Sequence, residues 1–193
     1  MRIFLPFAGY GWMDRETEWT ELMAIFVALL RAVNVGGTGK LPMADLRAIC
    51  EEIGFEGVRT YIQSGNVVFR TSWTSEAAKS ELEARLHERM GKPVGVIMRD
   101  PHSLHEILAR NPFPKAAPNQ IGVLFLDQAT PSDVLDTAKR RTDEEIQLGD
   151  REIFIHYPSG MGRSRLHLSA MELGTVRNLN TVAKLTEISA DGA

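Results

Sequence analysis

The sequence has little of what marks secreted or membrane proteins. Its 193 residues include one cysteine, Cys50, so no intrachain disulfide bond can form. This scarcity favours a reducing, cytoplasmic location. No apolar run approaches the roughly 20 residues that a membrane-spanning helix needs. The N-terminal residues also lack the apolar core and cleavage site of a signal peptide. We therefore expect a cytoplasmic protein with no membrane partner.

Neither sign of charge dominates the composition. The formal net charge is -3 and the isoelectric point is near 6.0. A protein that coats nucleic acid carries a large positive charge, so this balance argues against that class. The 44% of hydrophobic residues is typical of an ordinary globular protein, and the length allows one large domain or two small ones.

Residues 1–22 differ from the rest of the chain because they lack hydrophobic periodicity. Acidic residues interrupt this segment, and Met23 stands immediately before the first predicted strand. We interpret residues 1–22 as a mobile leader and expect the natural protein to start at Met23.

The chain is organised around a predicted strand, loop and helix. The apolar run of residues 25–30 predicts a buried strand, and a helical apolar repeat begins after Pro42 and ends at Gly54. A glycine-rich loop over residues 34–40 joins them. Free backbone N–H groups and the helix dipole meet where such a loop enters a helix, so the loop is suited to holding an anion.

This loop does not match a nucleotide-binding P-loop. That motif requires glycine where the sequence has Asn34, and serine or threonine where it has Leu41. A second interpretation needs no ligand, because glycines also let a chain turn between a strand and a helix.

The next elements predict a ferredoxin-like unit. Two strand-like runs, residues 58–63 and 66–71, flank a glycine-containing turn and predict a β-hairpin. A helical repeat between residues 75 and 91 and an apolar run at 93–98 follow. The order β-α-β-β-α-β is that of the ferredoxin-like fold, or α-β plait.

The first strand of this hairpin has two predicted faces. Alternation places Val58, Thr60 and Ile62 on one face and Arg59, Tyr61 and Gln63 on the other. We expect the first face to be buried and the second to be polar and available.

The second half predicts a variation of the same unit. A short helix starts at Pro101 and runs into a loop that ends at Gln120, and we expect the boundary between the halves there. A strand at residues 121–126 and a hairpin within residues 145–157 follow. Residues 130–133 have the spacing of a capping box and predict a helix, and two more helical segments are expected at the end of the chain.

The predicted fold class is therefore α+β, with two ferredoxin-like (βαββαβ-type) units that have antiparallel sheets. The expected organisation is a leader over residues 1–22, an N-terminal ferredoxin-like unit over 23–100, and a C-terminal α+β unit over 101–193.

Three motifs of the first half carry a resemblance to a known family. The segment LLRAVNVGG at residues 29–37, the M-x-x-L-R helix that follows and the hairpin RTYIQSGNVVF at 59–69 resemble the DUF1697 family. The resemblance extends to about residue 188 and implies paired ferredoxin-like units, but it implies no established activity. The sequence departs from the family in having Ala32 where glycine is usual and Leu179 where tryptophan is usual.

No catalytic or metal-binding constellation is evident in the sequence. His102 and His105 share one helix face but lack a third ligand in register, so no metal site is predicted. Cys50 lies among apolar positions of its helix, which is typical of a packed thiol. The spacing identifies no acid–base pair and no cofactor, so the sequence does not decide whether the protein is an enzyme.

Polar residues beside glycines nevertheless predict a binding site. We expect several of them to converge on one cleft between the halves and to bind an anionic small molecule, such as a nucleotide or a phosphate ester. The candidate ligand-binding residues are Arg31, Asn34, Gly36, Gly37, Lys40, Gln63, Ser64, Asn66, Arg163, Arg165, Arg177, Asn178 and Asn180.

Three other interpretations remain open. In the first, Arg177 and Asn178 cap the last helix and bind carbonyl groups of the first loop, which holds the halves together without a ligand. In the second, the sheet binds RNA, although the third strand lacks the stacking aromatics of an RNA-recognition motif. In the third, the chain is a structural or protein-interaction module.

Overall fold

A computed structural model of the chain describes residues 23–34 and 40–192. The predicted leader and positions 35–39 of the glycine-rich loop, including Gly36 and Gly37, lie outside the described residues.

The described residues form eight strands and four α-helices. The first half contains β1 (Ala24–Leu30), α1 (Met43–Ile53), β2 (Glu56–Thr60), β3 (Asn66–Thr71), α2 (Ser75–Met90), β4 (Val96–Arg99) and α3 (Pro101–Ala109). The second half contains β5 (Ile121–Phe125), β6 (Glu145–Leu148), β7 (Glu152–His156), β8 (Thr175–Asn178) and α4 (Leu179–Ala190). Short 3₁₀ helices cover Pro118–Gln120, Val134–Thr137 and Ser169–Glu172.

The strands form two four-stranded sheets whose pairings are all antiparallel. The order is β2-β3-β1-β4 in the first sheet and β6-β7-β5-β8 in the second. The two sheets therefore place their first, second, third and fourth strands in the same relative order. The fold is mixed α and β, with one sheet in each half.

Helices α1 and α2 cover one face of the first sheet. Leu46 and Ile49 of α1 and Leu82 and Leu86 of α2 pack there on the alternate strand residues, such as Phe69. Pro42 precedes α1, and Gly54 ends it in the left-handed conformation that a C-cap glycine adopts without strain.

The other face of the first sheet is buried inside the molecule. It presents Val27, Leu29, Val68 and Ile97, each with no exposed surface. Helices α3 and α4 and the second sheet cover this face in one hydrophobic cluster. The central core is therefore formed by α3 and α4, which pack on each other, and by one face of each sheet. Each of these elements has an apolar side that water would otherwise contact.

Several predicted elements are confirmed, and three details are wrong. β2 ends at Thr60, so Ile62 is not buried on the strand; it is 47% exposed and has a φ of 49°. Residues 130–133 do not cap an α-helix, because Thr130 bonds to Asp150 and Glu152 and only a 3₁₀ turn follows. The expected helical end of the chain includes the strand β8, and Arg177 lies in it.

Candidate functional site

Several of the candidate residues meet where the end of β1 approaches the β2–β3 turn and β8. We call this place the arginine junction and define it by Arg31, Asn34, Gln63, Ser64, Asn66 and Arg177. Residues that are distant in sequence are joined there by direct hydrogen bonds, which connect the first half of the chain to the second.

Arg177 is the centre of the junction. Its Nε donates to Asn66 Oδ1 at 2.5 Å, and its Nη2 donates to the carbonyl oxygens of Leu30 and Ser64 at 2.9 and 2.8 Å and to that of Gly65 at 3.3 Å. Its Nη1 donates to neighbours within β8. Every nitrogen of the guanidinium group is therefore engaged by the protein.

The positive charge of Arg177 has no carboxylate partner among the described residues. The side chain is buried, with 6% of the residue exposed, and all its acceptors are neutral oxygens. Loss of hydration on burial lowers the pKa of Arg177 to about 10. The group still carries its proton at neutral pH, so a full positive charge lies between the halves.

The β2–β3 turn is shaped to receive Arg177. Gly65 has a φ of 75°, and a Cβ atom there would lie 2.5 Å from Val33 Cγ2. Asn66 has no exposed surface, and its Nδ2 donates to the Tyr61 carbonyl and to Ser64 Oγ. These bonds leave Asn66 Oδ1 free to accept from Arg177.

Asn34 connects the turn to the start of α1. Its Nδ2 donates to the carbonyl oxygens of Leu41 and Gln63 at 2.9 and 2.8 Å, and its Oδ1 accepts from Leu41 N. These bonds hold the exposed residues Lys40 and Gln63 at the same edge of the junction.

Arg31 is half-buried and crosses from the first half to the second. Its Nη2 donates to the Glu172 carbonyl, and its side chain lies against Gly95, where a Cβ atom would be 3.1 Å from Arg31 Cδ. Its Nε is buried without a hydrogen-bond partner. Arg31 forms no salt bridge with a carboxylate in the described part of the chain.

The remaining candidates are distributed differently. Asn178 Oδ1 accepts from Thr181 N at 2.8 Å and caps α4, and Asn180 is exposed on that helix. Arg163 and Arg165 are exposed in the loop after β7, and no described contact joins either of them to the junction. Their loop is instead fixed by Ser164, whose hydroxyl donates to Glu144.

The opposite end of the interface repeats the Arg177 arrangement with Arg99. In the first sheet Arg99 lies opposite Val27, and in the second sheet Arg177 lies opposite Val123. Three residues after each valine come Leu30 and Leu126. Arg177 donates to the Leu30 carbonyl, and Arg99 donates to the Leu126 carbonyl at 2.8 Å. The two arginines are therefore equivalent, and each reaches into the other half.

The correspondence extends to the residues around each arginine. Arg99 also donates to the Arg151 carbonyl, which directly precedes β7, as the Gly65 carbonyl directly precedes β3. Asp100 follows Arg99 and caps α3 through Ser103, just as Asn178 follows Arg177 and caps α4 through Thr181.

The two ends differ in charge. The residue after Leu30 is Arg31, whereas the residue after Leu126 is Asp127. The first residue of β3 is Asn66, whereas the first residue of β7 is Glu152, and the helix caps are Asn178 and Asp100. Three positions that carry carboxylates around Arg99 are thus neutral or positive around Arg177.

Comparison with known proteins identifies the family. The family model described as a protein of unknown function, DUF1697, matches residues 23–154. The chain belongs to the DUF1697 family. The match includes Arg31, Asn34, Ser64 and Asn66 of the junction but ends before Arg177. No curated protein matches the sequence.

A solved structure shows that the fold of this DUF1697 protein is shared. The conserved bacterial protein SP0830 from Streptococcus pneumoniae superimposes with a TM-score of 0.71 at 21% sequence identity. The alignment covers 86% of this chain and 99% of that chain. At this identity the likeness concerns the fold alone.

Sequence reasoning missed Arg99. The available signal was the pattern of an arginine, then Asp or Asn, then Ser or Thr three residues later, which occurs as Arg99-Asp100 with Ser103 and as Arg177-Asn178 with Thr181.

The described residues contain no group of three or more His, Cys, Asp or Glu side chains that could hold a metal ion. No helix in the same ranges is long and apolar enough to cross a membrane.

Proposed function

We propose that this DUF1697 protein binds a small anionic molecule, of the nucleotide or phosphate-ester class, at the arginine junction. The observation that carries the proposal is the charge of the junction. Arg177 donates to the residue next to Arg31, and neither arginine has a carboxylate partner in the described ranges. An anion bound at Arg31 would neutralise a half-buried cation that has no carboxylate partner, and such an interaction is stronger in a partly desolvated place than in water.

In this proposal the two arginines have different roles. The hydrogen-bond donors of Arg177 are all engaged, so this residue supplies positive potential and holds the turn and β1 in place. Arg31 has a buried Nε without a partner and one bond to a carbonyl group, so its guanidinium supplies the direct contact with the ligand. Lys40 and Gln63 at the same edge are exposed and add donors.

The clasp interpretation of Arg177 is compatible with this function. The bonds from Arg177 to Leu30, Ser64 and Asn66 support a role in holding the halves together. A rigid junction also favours ligand binding, because preorganised groups lose less entropy when they bind.

RNA binding through the sheet is less well supported. RNA-recognition modules of this topology stack bases on an exposed sheet face. The face of the first sheet that α1 and α2 leave uncovered, with Val27, Leu29 and Val68, is instead buried by α3, α4 and the second sheet. A protein-interaction role through that face meets the same obstacle.

We also propose that both halves are ferredoxin-like units, each followed by one helix. The shared sheet order and the equivalence of Arg99 and Arg177 support this assignment. Since α3 and α4 are equivalent in this scheme, we place the boundary between the units in residues 110–120, the loop after α3.

Titration calorimetry with two variants tests the anion site. The full chain is titrated with pyrophosphate and with AMP, and the titrations are repeated with Arg31→Met and with Arg85→Met. We expect Arg31→Met to weaken binding at least about tenfold, which corresponds to about 1.4 kcal/mol. Arg85 lies exposed on α2 and is the matched control, because its removal deletes a surface charge of the same kind.

Two results would contradict the proposal. One is equal affinity of Arg31→Met and the unchanged protein for these anions. The other is an absence of binding to any member of a wider panel of phosphate esters and carboxylates, measured as heat and as ligand-dependent stabilisation.

A further inference from the structure

The opposite end of the interface contains a cleft of about 360 Å³. It lies between the N-terminal end of α2, the end of β4 with the start of α3, and the segments that follow β5 and precede β7. Its charged lining residues are Glu76, Lys79, Arg99, Asp100, Asp127 and Arg151. We call it the Arg99 cleft. Its volume is at the lower end of the range for small-molecule sites.

The numbers of cations and carboxylates in the lining are equal. A simple anion would face Glu76, Asp100 and Asp127, and a simple cation would face Lys79, Arg99 and Arg151. Neither a simple anion nor a simple cation therefore complements the charges of the whole lining. Some of these charged side chains are already paired within the protein, and only the others are left to bind a ligand.

Three of the charged groups are satisfied within the protein. Lys79 Nζ lies 2.5 Å from Asp127 Oδ2, and this ion pair connects α2 to the second half. Asp100 accepts from Ser103 N and Ser103 Oγ as the cap of α3. Burial alone would raise the pKa of Asp100, but these hydrogen bonds outweigh burial and lower it, so the carboxylate is already stabilised by the protein.

The cationic groups that remain are Arg99 and Arg151. Arg99 is 5% exposed, and its guanidinium donates only to the carbonyl oxygens of Met98, Leu126 and Arg151. It forms no salt bridge with a described carboxylate. Arg151 is half-exposed, its Nη2 donates to the Asp127 carbonyl, and the same nitrogen lies 4.0 Å from Asp127 Oδ1. The Asp127 carboxylate is also paired with Lys79 at 2.5 Å, so one carboxylate faces two cations and positive charge remains for a ligand. Burial, followed by the positive charge of Arg151, lowers the pKa of Arg99 to about 10, and the nearby carboxylates of Glu152, Asp127 and Asp100 act in the opposite direction without outweighing burial.

The carboxylate that remains is Glu76. It lies exposed on the first turn of α2, at the rim of the cleft, and forms no salt bridge within the described ranges. A ligand that satisfies the cleft must therefore present an anionic group to Arg99 and Arg151 and a cationic group to Glu76.

We propose that the Arg99 cleft is a second binding site, distinct from the arginine junction, and that its ligand is a small zwitterion that carries a phosphate or carboxylate and an ammonium group. The phosphate or carboxylate lies against Arg99 and Arg151, and the ammonium lies against Glu76.

Three probes and four variants test this proposal. The full chain is titrated with O-phosphoethanolamine, with ethyl phosphate and with ethanolamine. We expect O-phosphoethanolamine to bind at least about tenfold more tightly than either of the others. Glu76→Gln should remove the preference over ethyl phosphate, and Arg151→Gln should weaken O-phosphoethanolamine about tenfold. Glu88→Gln and Arg85→Gln, both exposed on α2, are the matched controls and should change neither value.

The outcomes also separate this site from the arginine junction. Binding of O-phosphoethanolamine that is unchanged by Arg31→Met supports two independent sites, whereas loss of that binding in Arg31→Met overturns the assignment to the Arg99 cleft. Equal affinity for O-phosphoethanolamine and ethyl phosphate, tight binding of ethanolamine alone, or no binding of any probe would each overturn the proposal.

Discussion

At the scale of single residues, Arg177 is the buried charged group whose hydrogen bonds join the two halves of the chain. Removal of a guanidinium that donates to Asn66 and to the Leu30 and Ser64 carbonyls leaves buried acceptors without partners. Unpaired buried polar groups each cost a substantial fraction of the stability of a domain. The sequence predicted that Arg177 lies at the site, because its motif is rich in polar groups. One interpretation left open by the sequence had Arg177 bind carbonyl groups of the first loop, but it did not predict that the protein itself uses every donor of this side chain.

Arg177→Met should therefore lower the free energy of unfolding by about 2–4 kcal/mol. Urea unfolding followed by circular dichroism measures this change. Arg85→Met serves as the control, because Arg85 is exposed and forms a surface ion pair with Glu81, and its replacement should cost less than about 0.5 kcal/mol. A loss for Arg177→Met as small as that of the control would show that the clasp contributes little.

Cys50 is a second residue whose behaviour follows from its burial. The thiol has no exposed surface, and burial, aided by Glu51, raises its pKa to about 12. The reactive thiolate is therefore scarce in the folded protein at pH 8. We expect a thiol reagent to label Cys50 at the rate of unfolding, so that urea accelerates labelling strongly. Fast labelling of the native protein would contradict this account.

The same pKa shift predicts a pH dependence of stability. The pKa of the Cys50 thiol is about 8.5 in the unfolded chain and about 12 in the folded protein. Unfolding therefore releases a proton at pH values between these two pKa values. This contribution to stability is fully present below about pH 8.5 and is lost as the pH rises through the window. In Cys50→Ala this part of the decline should be missing from the urea-unfolding free energies measured between pH 8 and pH 10.

At the scale of elements, the sequence predicted the first half well and the second half less well. The helices α1 and α2 have regular apolar spacing and glycine ends, and their predicted positions are confirmed. In the second half, the segments between strands are short 3₁₀ turns, and β8 has only four residues. Such short elements are stabilised by neighbouring strands and not by local periodicity, so the pattern alone did not distinguish them from helix.

The β2–β3 turn is the element on which the junction depends most. Gly65 has a left-handed φ of 75°, and an added Cβ would lie 2.5 Å from Val33 Cγ2 and 2.9 Å from Leu30 Cβ. Gly91 has a similar φ of 67° but has no atom within 4 Å of an added Cβ. The two glycines therefore separate the cost of backbone conformation from the cost of close packing.

Gly91→Ala should cost about 1 kcal/mol, the penalty for a left-handed alanine. Gly65→Ala should cost about 1–3 kcal/mol more, because the turn must also move away from Val33 and Leu30. Thermal and urea unfolding of the two variants measure the difference. Equal losses of stability would show that the close approach at Gly65 relaxes without cost.

At the scale of the whole molecule, the two halves are joined by equivalent arginines at opposite ends of a shared core. Each arginine leaves the fourth strand of its own sheet and reaches the end of the first strand of the other. The sequence suggested two related units, but it could not reveal the reciprocal contacts, because they depend on how the sheets are placed in space. Nor could it reveal the difference in charge between the ends. That difference becomes visible only when Arg31 is compared with Asp127, and Asn66 with Glu152, as residues at equivalent positions.

The most direct test of the anion site is a crystal structure of the full chain soaked with tungstate, a strongly scattering mimic of phosphate. We predict tungstate density in contact with the guanidinium of Arg31 at the arginine junction, and no density there in Arg31→Met crystals soaked in the same way. Density confined to other surfaces, or density at the junction that persists in Arg31→Met, would contradict the account.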